Sequence, residues 1–404
     1  MSALRARAVV VRDVASGARI EEIEVDDPRD GEVRVRLAAS GVCGSDLHVL
    51  HGRSNAVTFP VVLGHEGAGT VESVGPGVEG LAPGDHVVLA LYGPCHGCAS
   101  CLRGRFVHCS GPARVAAIFG RMADGSTRLR ADSDGAALHP MVGTGTLAEY
   151  AVVRASQVVR IDDDLPLDVL CLAGCGVTTG LGAVFNIAEV ATGDAVAVVG
   201  CGGVGLNVVQ GARIAGATTI VALDTNPAKL DLARRLGATH TLDPTAGADG
   251  AGADGAGADG GTAAAATTTG GGGRTIAAAV AEIVPGGVDV AFEVVGSPDL
   301  VAEAFLATRP GGTCVMVSAM PPGATIPVDG RALFSDRQLR GCIGGNNVPA
   351  VDIPRITALY RQGRLDLDTL VSARRRLDDV ATAIDETGRG AVARSVVVLD
   401  GYPA

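Results

Sequence analysis

Cys95, Cys98, Cys101 and Cys109 follow the turn signal Gly93-Pro94 with the spacing Cys-x2-Cys-x2-Cys-x7-Cys. Four thiolates on so short a loop suit tetrahedral zinc, and a site whose four positions are all filled by protein is structural. An iron–sulfur centre uses the same donors, but its usual spacings fit this run only loosely. His96 and His108 lie inside the loop and are surplus to a metal already satisfied by sulfur.

A second, dispersed set of metal-binding residues lies elsewhere. Cys43 sits in Gly41-Val42-Cys43-Gly44-Ser45-Asp46-Leu47-His48, His65 in Gly64-His65-Glu66-Gly67, and Cys175 in Leu172-Ala173-Gly174-Cys175-Gly176. Two thiolates and an imidazole make a catalytic type of zinc set, with the fourth position open to water or substrate. The thiolates neutralise the dication and leave a Lewis acid suited to lowering the pKa of an alcohol, which prepares that alcohol to give up hydride. Ser45, whose hydroxyl both accepts and donates, can pass the released proton to His48, with His51 as the rival acceptor. Asp46 suits the task of orienting the His65 ring by accepting its other N–H. Glu66 is either an alternate ligand or a buried structural carboxylate, and the sequence leaves both open.

The hydride needs an acceptor. Val198-Val199-Gly200-Cys201-Gly202-Gly203-Val204-Gly205 carries Gly-x-Gly-x-x-Gly between a predicted strand and a predicted helix, the context in which pyrophosphate approaches a helix N-terminus. Asp224 ends the next predicted strand, where a carboxylate holds the ribose hydroxyls and repels a 2′-phosphate, so NAD is favoured over NADP. Lys229, on the first turn of the following helix, is the single lysine among 33 basic residues. In a chain that otherwise uses arginine, its place five residues after Asp224 puts it within reach of the ribose.

The elements that must position these groups fall into two classes. Up to about residue 160, short apolar runs such as Glu32 to Leu37, Gly69 to Val74 and His86 to Leu91 are punctuated by Gly, Pro and Asp, a β-rich pattern. From Asp194 the rhythm becomes strand, glycine turn and helix, which implies a parallel doubly wound sheet. The segment 246–273 is built from Ala, Gly, Asp and Thr with Gly-Ala-Asp-Gly-Ala repeated from Gly247, and is expected to be a disordered surface insertion. Its aspartates recur every five residues, whereas known calcium-binding glycine repeats have a period of nine.

Bulk properties agree. A chain of 404 residues exceeds one ordinary core, and 47% hydrophobic with 19% charged residues describes a globular protein. No apolar run approaches the roughly 20 residues needed to span a bilayer. A net charge of −11 without a basic cluster speaks against nucleic acid. Residues Met1 to Val11 lack an apolar signal core and read as a first strand, from which a cytoplasmic location is expected. Ten cysteines without an export signal point to metal or redox chemistry rather than disulfides.

Taken together, GVCGSDLH, VVLGHEGAGTVESVGPGV, CHGCASCLRGRFVHC, LAGCGVTTG, VVGCGGVGL, DTNPAKLDLARRLGAT and GVDVAFEVVG resemble the zinc-containing medium-chain alcohol dehydrogenase family over nearly the whole chain. The resemblance implies an α/β protein: a GroES-like β-rich catalytic domain from both ends of the chain (1–176 and 344–404, zinc lobe about 93–112) and a Rossmann coenzyme domain (177–343). It implies two zinc ions per subunit, NAD, a small alcohol or aldehyde substrate, and a homodimer, as in the family's longer members. It assigns catalytic zinc to Cys43, His65 and Cys175, the relay to Ser45 and His48, and coenzyme contacts to Thr179, Val204, Asp224, Lys229 and Arg394. The alternatives are a formaldehyde dehydrogenase acting on a thiol adduct, with Arg114 as a candidate for binding an acidic conjugate, and a catalytically silent zinc and NAD binder. Two departures stand out: Gly44 and Ser297 occupy positions where several relatives carry a basic residue near the coenzyme, which leaves Arg394 as the main cationic anchor and implies weaker NAD binding.

Overall fold

The computed structural model describes residues 4–54, 56–245 and 275–399. The predicted insertion at 246–273 lies outside the described residues. By packing, the chain forms two units, one of Met1–Asn186, Gly202–Asn207 and Ile343–Ala404, the other of Ile187–Cys201 and Val208–Cys342.

The first unit is β-rich. Strands Leu4–Val11, Ala18–Val25, Leu129–Ala131, Ala137–Pro140 and Val61–Val62 close into a barrel. Side chains alternate along a strand, and Leu4–Val11 uses both faces: Ala6, Ala8 and Val10 enter one apolar cluster, Val9 and Val11 another. A seven-stranded sheet is built on Glu32–Val42, which pairs with Glu66–Val74, Tyr150–Arg154 and Arg394–Val398. Its register assembles residues far apart in the chain. Gly41 lies opposite Glu66 on one side and Val396 on the other, so His65 and the C-terminal Arg394 arrive near Cys43 by strand pairing alone.

The second unit is a six-stranded parallel sheet in the order His240–Leu242, Thr219–Leu223, Ala195–Val199, Val288–Glu293, Thr308–Met316, Gln338–Gly341. Numbered along the chain from Ala195, that order is 3-2-1-4-5-6, the doubly wound arrangement that binds dinucleotides where the order reverses. Its inner strands Ala195–Val199 and Thr219–Leu223 are near-continuous apolar runs because both faces are covered; Val199, Val221, Phe305 and Cys314 share the core. Crossover helices are capped by side chains: Asn226 accepts from Ala228 N–H before Pro227–Leu236, and Ser297 accepts from Leu300 N–H before Pro298–Ala307. Among the described residues no single helix is long and apolar enough to cross a membrane.

Candidate functional site

Cys43 directly follows the central strand and is the N-cap of the helix Gly44–Leu50. Asp46, fully buried at the third helical position, accepts the backbone N–H of Cys43 at 2.9 Å and, with its other oxygen, that of Gly64 at 2.9 Å. One carboxylate therefore ties the Cys43 segment to the His65 segment. Gly64 has φ +91°, and a Cβ there would fall 2.3 Å from the Leu147 backbone nitrogen, so glycine is required beside the imidazole.

Glu66, also fully buried, performs the matching task on the other side. Its Oε1 accepts the Gly176 N–H at 3.0 Å, next to Cys175, and its Oε2 forms an ion pair with Arg394. Asp46 and Glu66 thus staple the three segments pairwise. The donor atoms of Cys43, His65, Glu66 and Cys175 all lie within 4.8 Å of one another.

The donor chemistry fits a metal ion. His65 Nδ1 is sealed from solvent without a hydrogen bond and stands 3.8 Å from Asp46 Oδ1, an ion-pair distance longer than the direct bond expected from the sequence. Burial pushes the His65 ring down, but Asp46 and Cys43 outweigh it and hold the imidazole protonated up to about 10. The Cys43 thiol is held well below its ordinary range, chiefly by Cys175 and then His65. Cys43 in turn pushes the Cys175 thiol well above its ordinary range. Two sulfurs, an imidazole and a carboxylate whose donor atoms lie within 4.8 Å of one another form a set that suits a dication. Ser45 is exposed, with Oγ 4.0 Å from Cys43 Sγ, and His48 is half-buried on the same helix.

The four-cysteine loop takes all its donors from one short stretch of chain. All four sulfurs lie within 4.8 Å of one another. Backbone N–H groups of Cys95 and Gly111 donate to Cys109 Sγ at 3.4 Å each. Donation from the Cys101 backbone, with others, brings the Cys98 thiol down to about 5, while burial and the neighbouring thiols push Cys101 up to about 12. His96 and His108 are exposed.

The glycine fingerprint follows the strand Ala195–Val199 and opens the helix Gly203–Ala215. Gly200 has φ +97°, and a Cβ there would meet Val295 Cγ2 at 2.7 Å; beside Gly202 there is open space. A Cβ on Gly203 would lie 2.2 Å from Arg394 Cδ, and one on Gly180 would meet Val204 O at 2.7 Å, so Val204 and the Thr179 helix pack closely. Gly205 is buried, and Thr179 N donates to Cys175 O at 2.9 Å. Asp224 is partly engaged already: its oxygens accept the N–H groups of Cys201 at 2.8 Å and Asn226 at 2.9 Å. Lys229 stands half-buried in the first turn of Pro227–Leu236, where a cation is disfavoured by the helix dipole, so the helix itself gives no reason for lysine there.

Residues that the sequence did not single out include Gly41, where a Cβ would fall 2.3 Å from Glu66 Oε2, and Gly180. Neither has a local signal in a chain with 58 glycines. Gly44 is exposed with no atom within 4 Å of a built Cβ, and Ser297 has a local task as a helix cap. Arg114 is buried and stacked on Tyr92 at 4.7 Å.

Known proteins share this architecture. Residues 29–163 match the family model of the alcohol dehydrogenase GroES-like domain, and residues 203–359 that of the zinc-binding dehydrogenase. An S-(hydroxymethyl)glutathione dehydrogenase of Paracoccus denitrificans is 34% identical over 98% of this chain and 100% of its own length. Among solved structures, an alcohol dehydrogenase zinc-binding domain protein from Burkholderia ambifaria aligns with a TM-score of 0.87 and 35% identity, covering 98% of this chain and 100% of that one. The benzyl alcohol dehydrogenase of Acinetobacter calcoaceticus aligns with a TM-score of 0.85 and 29% identity, covering 98% and 99%. Full-length similarity at this level, over a fold that gathers two cysteines and a histidine beside a second cluster of four thiols, means that the chain belongs to the zinc-containing medium-chain alcohol dehydrogenases, oxidoreductases that use zinc and NAD to interconvert alcohols with aldehydes or ketones.

Proposed function

We propose that Cys43, His65 and Cys175 hold the catalytic zinc of this alcohol dehydrogenase, that Cys95, Cys98, Cys101 and Cys109 hold a structural zinc, and that Ser45 and His48 carry the proton. The observation that bears most weight is the convergence, within 4.8 Å, of donors from three separate segments. When bound, zinc supplies a Lewis acid that acidifies the alcohol and NAD supplies the hydride acceptor.

The chain's own residues do the rest. Asp46 and Glu66 hold the three ligand segments at fixed spacing through backbone N–H bonds, so the site is organised before substrate arrives. Glu66 has both oxygens occupied, by Gly176 and Arg394, which favours the structural-carboxylate reading over the alternate-ligand one. Ser45 and His48 lie three residues apart on one helix and share a face, so a proton taken by the Ser45 hydroxyl has His48 next in line. For the coenzyme, the family resemblance is the support for Asp224 and Lys229 selecting NAD and for Gly200, Gly202, Val204, Gly205, Thr179 and Arg394 as its further contacts. The catalytic domain is taken as 1–176 and 344–404 and the coenzyme domain as 177–343.

A screen of alcohols for NAD reduction, repeated with Cys43→Ala, tests this reading. Activity on at least one alcohol that vanishes in the variant supports it; activity unchanged in Cys43→Ala refutes it. Ser45→Ala should lower kcat by about a hundredfold and flatten its pH dependence.

Oxidation of a hydroxymethyl–thiol adduct is the second reading, favoured by the name of the 34% identical relative. Arg114, buried against Tyr92, is not presented as a binding group for an acidic conjugate. Comparing simple alcohols with formaldehyde plus glutathione or mycothiol separates the two. We also infer a cytoplasmic homodimer. The edge strand Gln338–Gly341, with Phe334 93% exposed just before it, is the surface that suits self-association, and light scattering tests it.

A further inference from the structure

Besides the exposed Arg103 and Arg105 on the four-cysteine loop, two arginines withdrawn from solvent, Arg114 and Arg154, lie beside it without an acidic partner among the described residues. Arg114 is buried, its Nε is sealed from solvent without a hydrogen bond, and its guanidinium lies 4.7 Å from the centre of the Tyr92 ring. Arg154 is half-buried, its Nε equally sealed, and its terminal nitrogen donates to neutral acceptors only, Gly93 O at 3.3 Å and Gln157 Oε1 at 3.2 Å. Elsewhere the chain treats buried arginines differently: Arg128 is paired with Glu32 and Asp124, and Arg394 with Glu66.

Burying one cation without a counter-charge is costly, and burying two near each other adds repulsion. Burial is the main influence lowering both guanidinium groups, bringing Arg154 to about 10, and Arg114 lowers Arg154 further. The Cys109 thiol acts in the opposite direction on both, joined by Cys95 for Arg154 and Tyr92 for Arg114. Each arginine is also tied to the loop by the chain. Arg154 holds Gly93, two residues before Cys95, and the helix Pro112–Ile118 that carries Arg114 starts directly after Gly111, whose N–H donates to Cys109 Sγ.

We propose that Arg114 and Arg154 are the built-in counter-charges of a tetrathiolate zinc site. Four thiolates on a zinc dication leave two negative charges, and two guanidinium groups without carboxylate partners balance them. Cys101 and Cys109 face the protein and are buried, so water cannot screen that side, whereas the exposed Arg103 and Arg105 lie in solvent. The two arginines are positioning residues for the metal, not catalytic ones. The inference rests on reading the four cysteines as a zinc site, which the zinc content of the wild-type chain, two ions per subunit or one, tests separately.

The decisive experiment follows zinc release from the full-length, zinc-loaded protein into excess chelator, with iodoacetamide alkylation mapped by mass spectrometry to tell the loop cysteines from Cys43. Arg154→Met and Arg114→Met should each release loop zinc at least about tenfold faster and open Cys95 and Cys98 to alkylation while Cys43 stays protected; Arg154→Lys should stay close to wild type. Charge arithmetic gives the control. Cys95→His removes one negative charge, so adding Arg154→Met to it should cost much less than in the wild-type background. Zinc release unchanged in both Met variants, or an Arg154→Met effect equally large with Cys95→His, overturns the proposal. Should Arg154→Met alone not fold, the double variant must; failure of both also overturns it.

Discussion

The two proposed metal sites use overlapping donors and are built in opposite ways. The loop collects its four sulfurs from one short stretch, leaves Cys95 exposed and supports Cys109 with backbone N–H groups of the same loop. The trio draws Cys43, His65 and Cys175 from three segments and is organised by two fully buried carboxylates that bridge between segments. A site made from one loop fails locally when a donor is lost. One made from three segments depends on the whole unit, but once the carboxylate staples hold, its donors can be removed without undoing the fold.

The largest effect that would break this contrast concerns chemistry. Cys43→Ala should lower NAD-linked alcohol oxidation by at least about a thousandfold and leave one zinc per subunit, with melting shifted by only a few degrees. A large loss of stability would mean that the trio is as structural as the loop. Cys101→Ser should do the reverse: the loop zinc is lost and thermal unfolding falls by roughly 10 °C, while freshly purified protein retains turnover. Equal loss of turnover at once would erase the distinction.

Glu66→Gln tests the staples. It leaves Arg394 buried without its partner and should cost about 3 kcal/mol in denaturant unfolding, yet retain the trio's zinc if Glu66 braces rather than ligates. Loss of that zinc would make Glu66 a ligand. The smallest effect concerns the coenzyme. Gly44→Arg, at an exposed position with open space beside its Cβ, should tighten NADH binding by about 1 kcal/mol, roughly fivefold, measured by fluorescence titration. No change would show that the absence of a cation there does not weaken NAD binding.

Legibility in the sequence divides the same way. The loop and the glycine fingerprint are readable because their chemistry is local: spacing alone brings four sulfurs together, and a strand, a positive-φ glycine and a helix are consecutive in the chain. The parallel sheet is readable from its alternating apolar and helical rhythm, although strand ends are not; the central strand runs Glu32–Val42 rather than stopping near Leu37. Arg394 is expected as the coenzyme's cationic anchor, and its pairing with Glu66 has no sequence signal. Asp46 is expected to hold the His65 ring; it stands in ion-pair range of the ring nitrogen, 3.8 Å away, and its oxygens also bond the Cys43 and Gly64 backbones, which has no sequence signal.

From residue types and spacing alone came the donor inventory, the class of each lobe and the preference for NAD, since these depend on chemical identity and on contacts between near neighbours. Tertiary structure alone decided which groups share a pocket. The pairing of Gly41 with Glu66 and Val396 carries residues from two distant parts of the chain to Cys43, and the charge balance of Glu66 with Arg394, or of Arg114 and Arg154 with the loop sulfurs, exists only there. Register and burial set the electrostatics, and neither is written in the order of the residues one at a time.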